Sequence, residues 1–344
     1  MMERVKILLI YTGGTIGMVK DYTTGSLTAF DFTTLQKNIP ELFQLDCDIT
    51  TVSFRHPIDS SNMNPKYWEK IAALIGGNYS KFDGFVVLHG SDTMSYTASA
   101  LSFMLENLAK PIILTGSQLP IGDLRTDAKE NLITAIQIVS LRENDRPVIQ
   151  EVGLYFEYKL YRGNRTTKIN AEHFQAFRSM NYPTLLESGV NLKINHPYLL
   201  DAGNNKDLVV HSKMDPNVGV LKLFPGITRD FIETVLSTKS LKALVLETFG
   251  AGNAFTDNWF LSLLKEAIQS GLHIINVTQC VGGGVVMGQY KTSESLRQIQ
   301  LINGKDITTE SAVTKAMYLL GKGVTSQDFR TFFETPLHGE MRQN

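Results

Sequence analysis

The segment Val5-Lys6-Ile7-Leu8-Leu9-Ile10-Tyr11-Thr12-Gly13-Gly14-Thr15-Ile16-Gly17 carries a short apolar run straight into a glycine-rich turn. A run that is apolar at nearly every position, rather than at alternate ones, reads as a strand covered on both faces. Glycines directly after such a strand let the backbone turn sharply and approach a ligand closely. The spacing is not the G-x-G-x-x-G of a dinucleotide site, and no lysine follows to complete a phosphate loop. What sets the turn apart is Thr15, whose hydroxyl is held by its β-branch at the site-forming end of the first strand.

The pattern repeats outward from this segment. Residues 50–54, 84–89, 111–115 and 151–156 read as further strands, and residues 65–75, 93–108 and 128–141 as amphipathic helices between them. Such alternation implies right-handed crossovers and a mainly parallel sheet covered on both faces. From Tyr182 to Pro216 the chain changes character, with prolines at 183, 197 and 216 and no clear period. Strand-like runs then resume at 218–224, 243–247 and 273–278, with helix-like runs at 229–236, 259–270 and 310–320. The expected fold is α/β. A larger N-terminal domain (1–190) with a mainly parallel, helix-covered sheet carries the site. A linker (191–216) leads to a smaller C-terminal α/β domain (217–344) with its own parallel sheet.

Composition narrows the function. Among 344 residues, 33 Lys plus Arg nearly cancel 34 Asp plus Glu, leaving a formal charge of -1. No global basic surface exists to hold a nucleic-acid backbone or an anionic bilayer. No apolar stretch approaches the roughly 18 residues that a membrane helix needs. Two cysteines, Cys47 and Cys280, are too few for a disulfide framework and read as two buried thiols in a reducing compartment. The N-terminal apolar run is too short for a secretion signal, so the expected location is cytoplasmic. The seven histidines show no metal-ligand spacing, and there is no G-x-S-x-G elbow.

Polar turns after strands are where chemistry is expected. Residues 18–28 read as an exposed hairpin with Gly25 near its tip, a flap able to swing Tyr22 over Thr15. Strand 84–89 runs into Gly90-Ser91-Asp92-Thr93 ahead of an Ala-rich helix. These residue types cap helices, yet one cap suffices, and three polar side chains beside free helix N–H groups also suit a carboxylate. Tyr161-Arg162-Gly163-Asn164-Arg165-Thr166-Thr167-Lys168 is polar and basic, and Lys168 paired with Asp92 would link hydroxyl, carboxylate and amine as Ser91–Asp92–Lys168. Ile58-Asp59-Ser60-Ser61-Asn62 precedes another helix and is read as a cap unless it faces the same cleft.

Together, Thr12-Gly13-Gly14-Thr15-Ile16-Gly17, His89-Gly90-Ser91-Asp92-Thr93-Met94, Thr115-Gly116-Ser117-Gln118 and Gly163-Asn164-Arg165-Thr166-Thr167-Lys168 resemble the bacterial-type L-asparaginases, and in particular their cytoplasmic type I branch. Gly250-Ala251-Gly252-Asn253 and Val277-Thr278-Gln279-Cys280 extend the resemblance over nearly the whole chain. It implies hydrolysis of L-asparagine to L-aspartate and ammonia through a covalent acyl-enzyme, with no cofactor and no metal. Thr15 is then the nucleophile and Tyr22 its activating partner on the flap. Ser91, Asp92 and Lys168 assist proton movement and place the hydrolytic water. Gly14, Asp59, Ser60, Ser91 and Asp92 surround the substrate, and Asn253 reaches a neighbouring subunit's site. The resemblance also implies a homodimer or homotetramer.

Two departures carry expectations of their own. The family pattern at the second hydroxyl is His-Gly-Thr-Asp-Thr, and Ser91 keeps the hydroxyl but loses the methyl that limits its rotamers. Reduced turnover is expected from the freer hydroxyl. Some type I enzymes bind asparagine at an effector site, which the resemblance places at Thr167, Glu247 and Cys280. Glu247 stands where an arginine is expected, and a carboxylate repels rather than clasps an α-carboxylate. Little or no cooperativity is expected. The rival readings are a non-catalytic amino-acid sensor on the same fold and the glutaminase-like subunit of a tRNA-dependent amidotransferase. That subunit carries an extra N-terminal domain, and this chain begins at the strand.

Overall fold

The run at the start of the chain is strand β1 (Val5–Tyr11) of a computed structural model that describes residues 4–20, 27–29, 39–201, 206–288 and 291–343. From Ile7 to Tyr11 the strand is buried without alternation, because neighbours lie on both edges and side chains cover both faces. The chain falls into two compact units, residues 1–212 and 213–344.

In the first unit, β2 (Cys47–Ser53), helix α1 (Pro65–Asn78), β3 (Gly84–Leu88), helix α2 (Met94–Met104), β4 (Ile112–Thr115), helix α3 (Ala128–Ser140) and β5 (Val152–Phe156) follow β1. These strands pair in parallel in the order β2-β1-β3-β4-β5. Helix α3 lays Ala128, Leu132, Ala135, Ile136 and Val139 against Ile7, Leu9, Tyr11, Val86, Leu88 and Ile113. Each large aliphatic side chain so buried contributes about 1.5–3 kcal/mol relative to exposure.

Three antiparallel strands extend this sheet: β6 (Lys159–Arg162), β7 (Leu186–Ser188) and β8 (Leu192–Ile194), in the order β5-β6-β7-β8. None of the three is expected from the sequence. The β5–β6 turn is a two-residue hairpin with Glu157 at φ 48° and Tyr158 at φ 66°, a left-handed pair that Asn-Gly ordinarily signals. Segment 191–216 is likewise not featureless. It supplies β8, and Val209–Val210 pairs with Leu105–Glu106, both runs being too short to show a period. That pairing also explains why α2 stops at Met104, four residues before the expected end, with Asn107 left-handed at φ 63° just beyond.

The second unit holds a parallel four-stranded sheet in sequence order: β9 (Val218–Lys222), β10 (Ala243–Thr248), β11 (His273–Thr278) and β12 (Ile302–Asn303). Helices α4 (Arg229–Leu236), α5 (Asn258–Gln269), α6 (Lys291–Gln298), α7 (Thr309–Gly321) and α8 (Ser326–Glu334) accompany it. Its core gathers Leu221, Ile232, Leu244, Leu246, Phe260, Leu264 and Ile274. Among the described residues no helix is long and apolar enough to cross a membrane.

Candidate active site

In a sheet wound β2-β1-β3-β4-β5, ligands bind beyond the carboxyl ends of β1 and β3, where the winding changes direction. The turns after those strands meet there in backbone contact. A Cβ on Gly14 would lie 2.5 Å from the backbone of Gly90, and one on Gly90 would lie 2.5 Å from Ser60 Oγ. Gly14 also adopts φ 90°, which glycine alone takes without strain. Hydrogen bonds join the same turns. Thr12 donates to the Leu88 carbonyl through its N–H (3.0 Å) and its hydroxyl (2.9 Å), and Ile58 N–H donates to the Thr12 carbonyl (2.9 Å). Thr93 Oγ1 donates to the Ser60 carbonyl at 2.7 Å.

Thr15, half-buried, opens the 3-10 turn Thr15–Gly17 next to this contact. Tyr11 braces the turn from beneath, its hydroxyl donating to the carbonyls of Gly17 (3.2 Å) and Gly14 (3.4 Å). Burial pushes the Tyr11 phenol up to about 12, so it remains a donor. Tyr22, the expected partner of Thr15, lies outside the described residues; the strands flanking it, Met18–Lys20 and Leu27–Ala29, pair antiparallel.

The turn after β3 does not cap its helix. Thr93 stands at the N-cap of α2 without a capping bond, and Ser91 and Asp92 turn to Lys168 instead. Lys168 Nζ donates to Ser91 Oγ at 2.8 Å and to Asp92 Oδ1 at 2.7 Å. The lysine side chain is only 17% exposed while Asp92 is 64% exposed, so the cluster opens outward on its carboxylate side. The β5–β6 hairpin and the turn Gly163–Arg165 deliver Lys168, which a two-residue ladder with Phe177–Arg178 then holds.

Supporting groups to which the sequence assigns no role lie around this cluster. His89 is fully buried, with Nδ1 2.7 Å from the Gly90 carbonyl and Nε2 2.8 Å from Thr97 Oγ1. Trp68 Nε1 donates to Thr97 Oγ1 at 3.0 Å. A carbonyl only accepts and an indole N–H only donates, so the chain of protons has one direction, from Trp68 through Thr97 to His89 and on to Gly90. Burial holds the His89 imidazole down at about 4, the Gly90 carbonyl working weakly the other way. Gln118 Oε1 receives the Ser91 hydroxyl at 3.1 Å. Asp127 fixes the Gln118 backbone by accepting its N–H at 2.9 Å, and burial raises that carboxyl.

The remaining expected residues divide. Ser60 is buried at the meeting of the turns. Asp59 does act as a cap, its Oδ1 accepting the Ser61 N–H and hydroxyl, both at 2.9 Å, and these bonds lower its carboxyl. Asn253 belongs to the second unit, where it bridges Phe249. Thr167 belongs to the first unit, paired with Arg178. Glu247 and Cys280 stand at the carboxyl ends of the adjacent strands β10 and β11. Glu247 Oε1 accepts the Thr309 hydroxyl at 2.6 Å, and Cys280, in the turn after β11, is exposed rather than buried as expected, while Cys47 is buried. Among the described residues no cluster of three or more His, Cys, Asp or Glu side chains is placed to hold a metal ion.

Residues 6–199 match the family model described as Asparaginase, N-terminal, and residues 217–333 match the Glutaminase/Asparaginase C-terminal domain. The chain is 41% identical to L-asparaginase 1 of Escherichia coli strain K12, over 99% of each chain. It is 40% identical to the 60 kDa lysophospholipase of Mus musculus, over 98% of this chain and 62% of that one. The crystal structure of L-asparaginase I from Vibrio cholerae superposes with a TM-score of 0.89 at 38% identity, covering 99% of this chain and all of the other.

Proposed function

The chain belongs to the asparaginase family, and on that premise we propose that it hydrolyses L-asparagine to L-aspartate and ammonia with Thr15 as nucleophile. The observation that carries the reading is the meeting of the Thr15 turn with the Ser91–Asp92–Lys168 cluster at the Gly14–Gly90 contact. A threonine hydroxyl is a poor nucleophile at its ordinary pKa and needs a partner to take its proton. Tyr22 fills that role in this account. The Thr15 oxygen attacks the side-chain amide carbon, and backbone N–H groups of the turns stabilise the oxyanion by about 3 kcal/mol per donor. Ammonia leaves with the proton, an aspartyl ester remains on Thr15, and water cleaves it.

Ser91, Asp92 and Lys168 supply positioned proton transfer, which is worth roughly 10²–10⁴ in rate. Gly14 gives the close backbone approach, and Asp59, Ser60 and Asp92 hold the substrate's α-amino and α-carboxylate groups. Asparagine and glutamine differ by one methylene, a difference worth about 1–3 kcal/mol in a shaped pocket. Asn253 serves a neighbouring subunit's site in a homodimer or homotetramer, and Glu247 in place of an effector-binding arginine leaves the enzyme without cooperativity. A cytoplasmic location is supported by the exposed free thiol of Cys280, which persists in a reducing compartment. The domain limits 1–190 and 217–344, with residues between them connecting, complete the reading. Ammonia release measured with L-asparagine and L-glutamine tests it: preferential release from asparagine supports it, and binding without release would favour an amino-acid sensor.

A further inference from the structure

A serine hydroxyl on its own samples three staggered positions, and nothing in the Ser91 side chain selects among them. The selection here comes from outside. Gln118 Nε2 lies 3.2 Å from the Ala171 carbonyl and 3.1 Å from the His173 carbonyl, two groups that only accept. The nitrogen of the amide is therefore fixed on that side, and its oxygen faces Ser91 Oγ at 3.1 Å. An amide oxygen only accepts, so Ser91 donates its proton to Gln118 and accepts from Lys168 at 2.8 Å. Gln118 is itself anchored, since Asp127 accepts its backbone N–H at 2.9 Å and that of Leu119 at 3.1 Å.

We infer that Gln118 is a positioning residue for the second hydroxyl of the site. Its amide holds Ser91 in one rotamer and ties it to the 170–176 excursion that follows Lys168, so that donor and acceptor keep their spacing. The Ser91 proton is committed to Gln118, which leaves the hydroxyl to meet any further partner as an acceptor. Two hydrogen bonds thus replace the steric restraint of a β-branch at position 91, and the turnover penalty expected from the sequence is offset.

The inference rests on the asparaginase reading, and a substitution cycle separates the two. The kcat and KM of ammonia release from L-asparagine are measured for the parent, Q118M, S91T and the double variant, with a thermal melt of each. Losing one such hydrogen bond lowers kcat about tenfold in Q118M, with KM changed less than about twofold. In the Q118M background the methyl that S91T adds restores at least about half of the logarithmic loss. If Q118M melts well below the parent, the double variant decides: recovery of kcat by S91T without recovery of the melt supports the inference, and recovery of neither overturns it. Parent-like turnover in Q118M, or a loss that is the same with serine or threonine at 91, overturns the inference alone. A parent chain that releases no ammonia overturns the functional reading and this inference with it.

Discussion

Lys168 donates to Ser91 Oγ at 2.8 Å although the two residues lie 77 positions apart in the chain. The bond exists because the β5–β6 hairpin folds residues 159–168 back against α2, on which the turn Gly163–Arg165 packs. A Cβ on Gly163 would come within 3.0 Å of Ala98 Cβ, so the small residues on both sides set how closely hairpin and helix approach. The same lysine reaches Asp92 at 2.7 Å, and one cation thereby organises both side chains of the turn after β3.

Removing the cation tests its chemical role. Lys168→Met lowers kcat by roughly 10²–10⁴, the range for a positioned proton-transfer group. The ion pair is open on its Asp92 side, so its loss costs only about 0–1 kcal/mol of stability. Turnover and thermal melting measured on one preparation check both statements; a fall in melting temperature that accounts for the lost activity would contradict them.

The contact between Gly14 and Gly90 sets the spacing of the two turns. Gly14→Ala places a methyl 2.5 Å from the Gly90 backbone at φ 90°, straining the backbone by about 1–3 kcal/mol and displacing Thr15. Misplacement on the order of 1 Å costs about 10² in rate. Gly77→Ala is the counterpart: its site on α1 is open and helical, and the alanine stabilises by about 0.5–1 kcal/mol. Urea unfolding and turnover of the two variants are expected to move in opposite directions in stability and only for Gly14 in rate.

His89 gives a pH signature. Its imidazole is held at about 4 in the fold against 6.5 in the unfolded chain, so below pH 6.5 the unfolded state takes up a proton that the native state refuses. The stabilisation is complete above about pH 6.5 and is lost as the pH falls toward 4, up to about 3 kcal/mol. His89→Asn, which keeps a donor near the Gly90 carbonyl, is expected to flatten that part of the profile. Unfolding free energies at pH 7 and pH 4.5 that differ equally in parent and variant would rule His89 out as the source.

Asparagine saturation of the parent enzyme is expected to be hyperbolic. Glu247, with its carboxylate engaged by Thr309 at 2.6 Å, offers no cation to an effector's α-carboxylate. A sigmoidal rate curve over a wide concentration range would refute this.

The parallel strands and their helices were legible in the sequence because each is a run long enough to declare its period. Val5–Tyr11, His273–Thr278 and Arg229–Leu236 are cases where pattern and structure coincide within a residue. The antiparallel extension was not legible, since Glu157-Tyr158 makes a left-handed turn without glycine or asparagine. Within the site, the hydroxyl, carboxylate and amine at 91, 92 and 168 were visible as chemistry placed after strands. Gln118 was visible only as part of a motif, and Thr97 and Trp68 not at all, because their roles depend on side-chain contacts between elements far apart in sequence. Asp127 stands at the N-cap of α3 without a capping bond, and its carboxylate instead holds the turn after β4.

The most direct test of the central claim is ammonia release from L-asparagine by the parent chain and by Thr15→Ala, alongside mass measurement of enzyme quenched during turnover. Turnover is expected in the parent, with a mass increment of one aspartyl group on the parent alone. Release by Thr15→Ala is expected to fall by at least about 10⁴ while its melt is unchanged. Undiminished release by a folded Thr15→Ala protein would show that Thr15 is not the nucleophile and would overturn the mechanism.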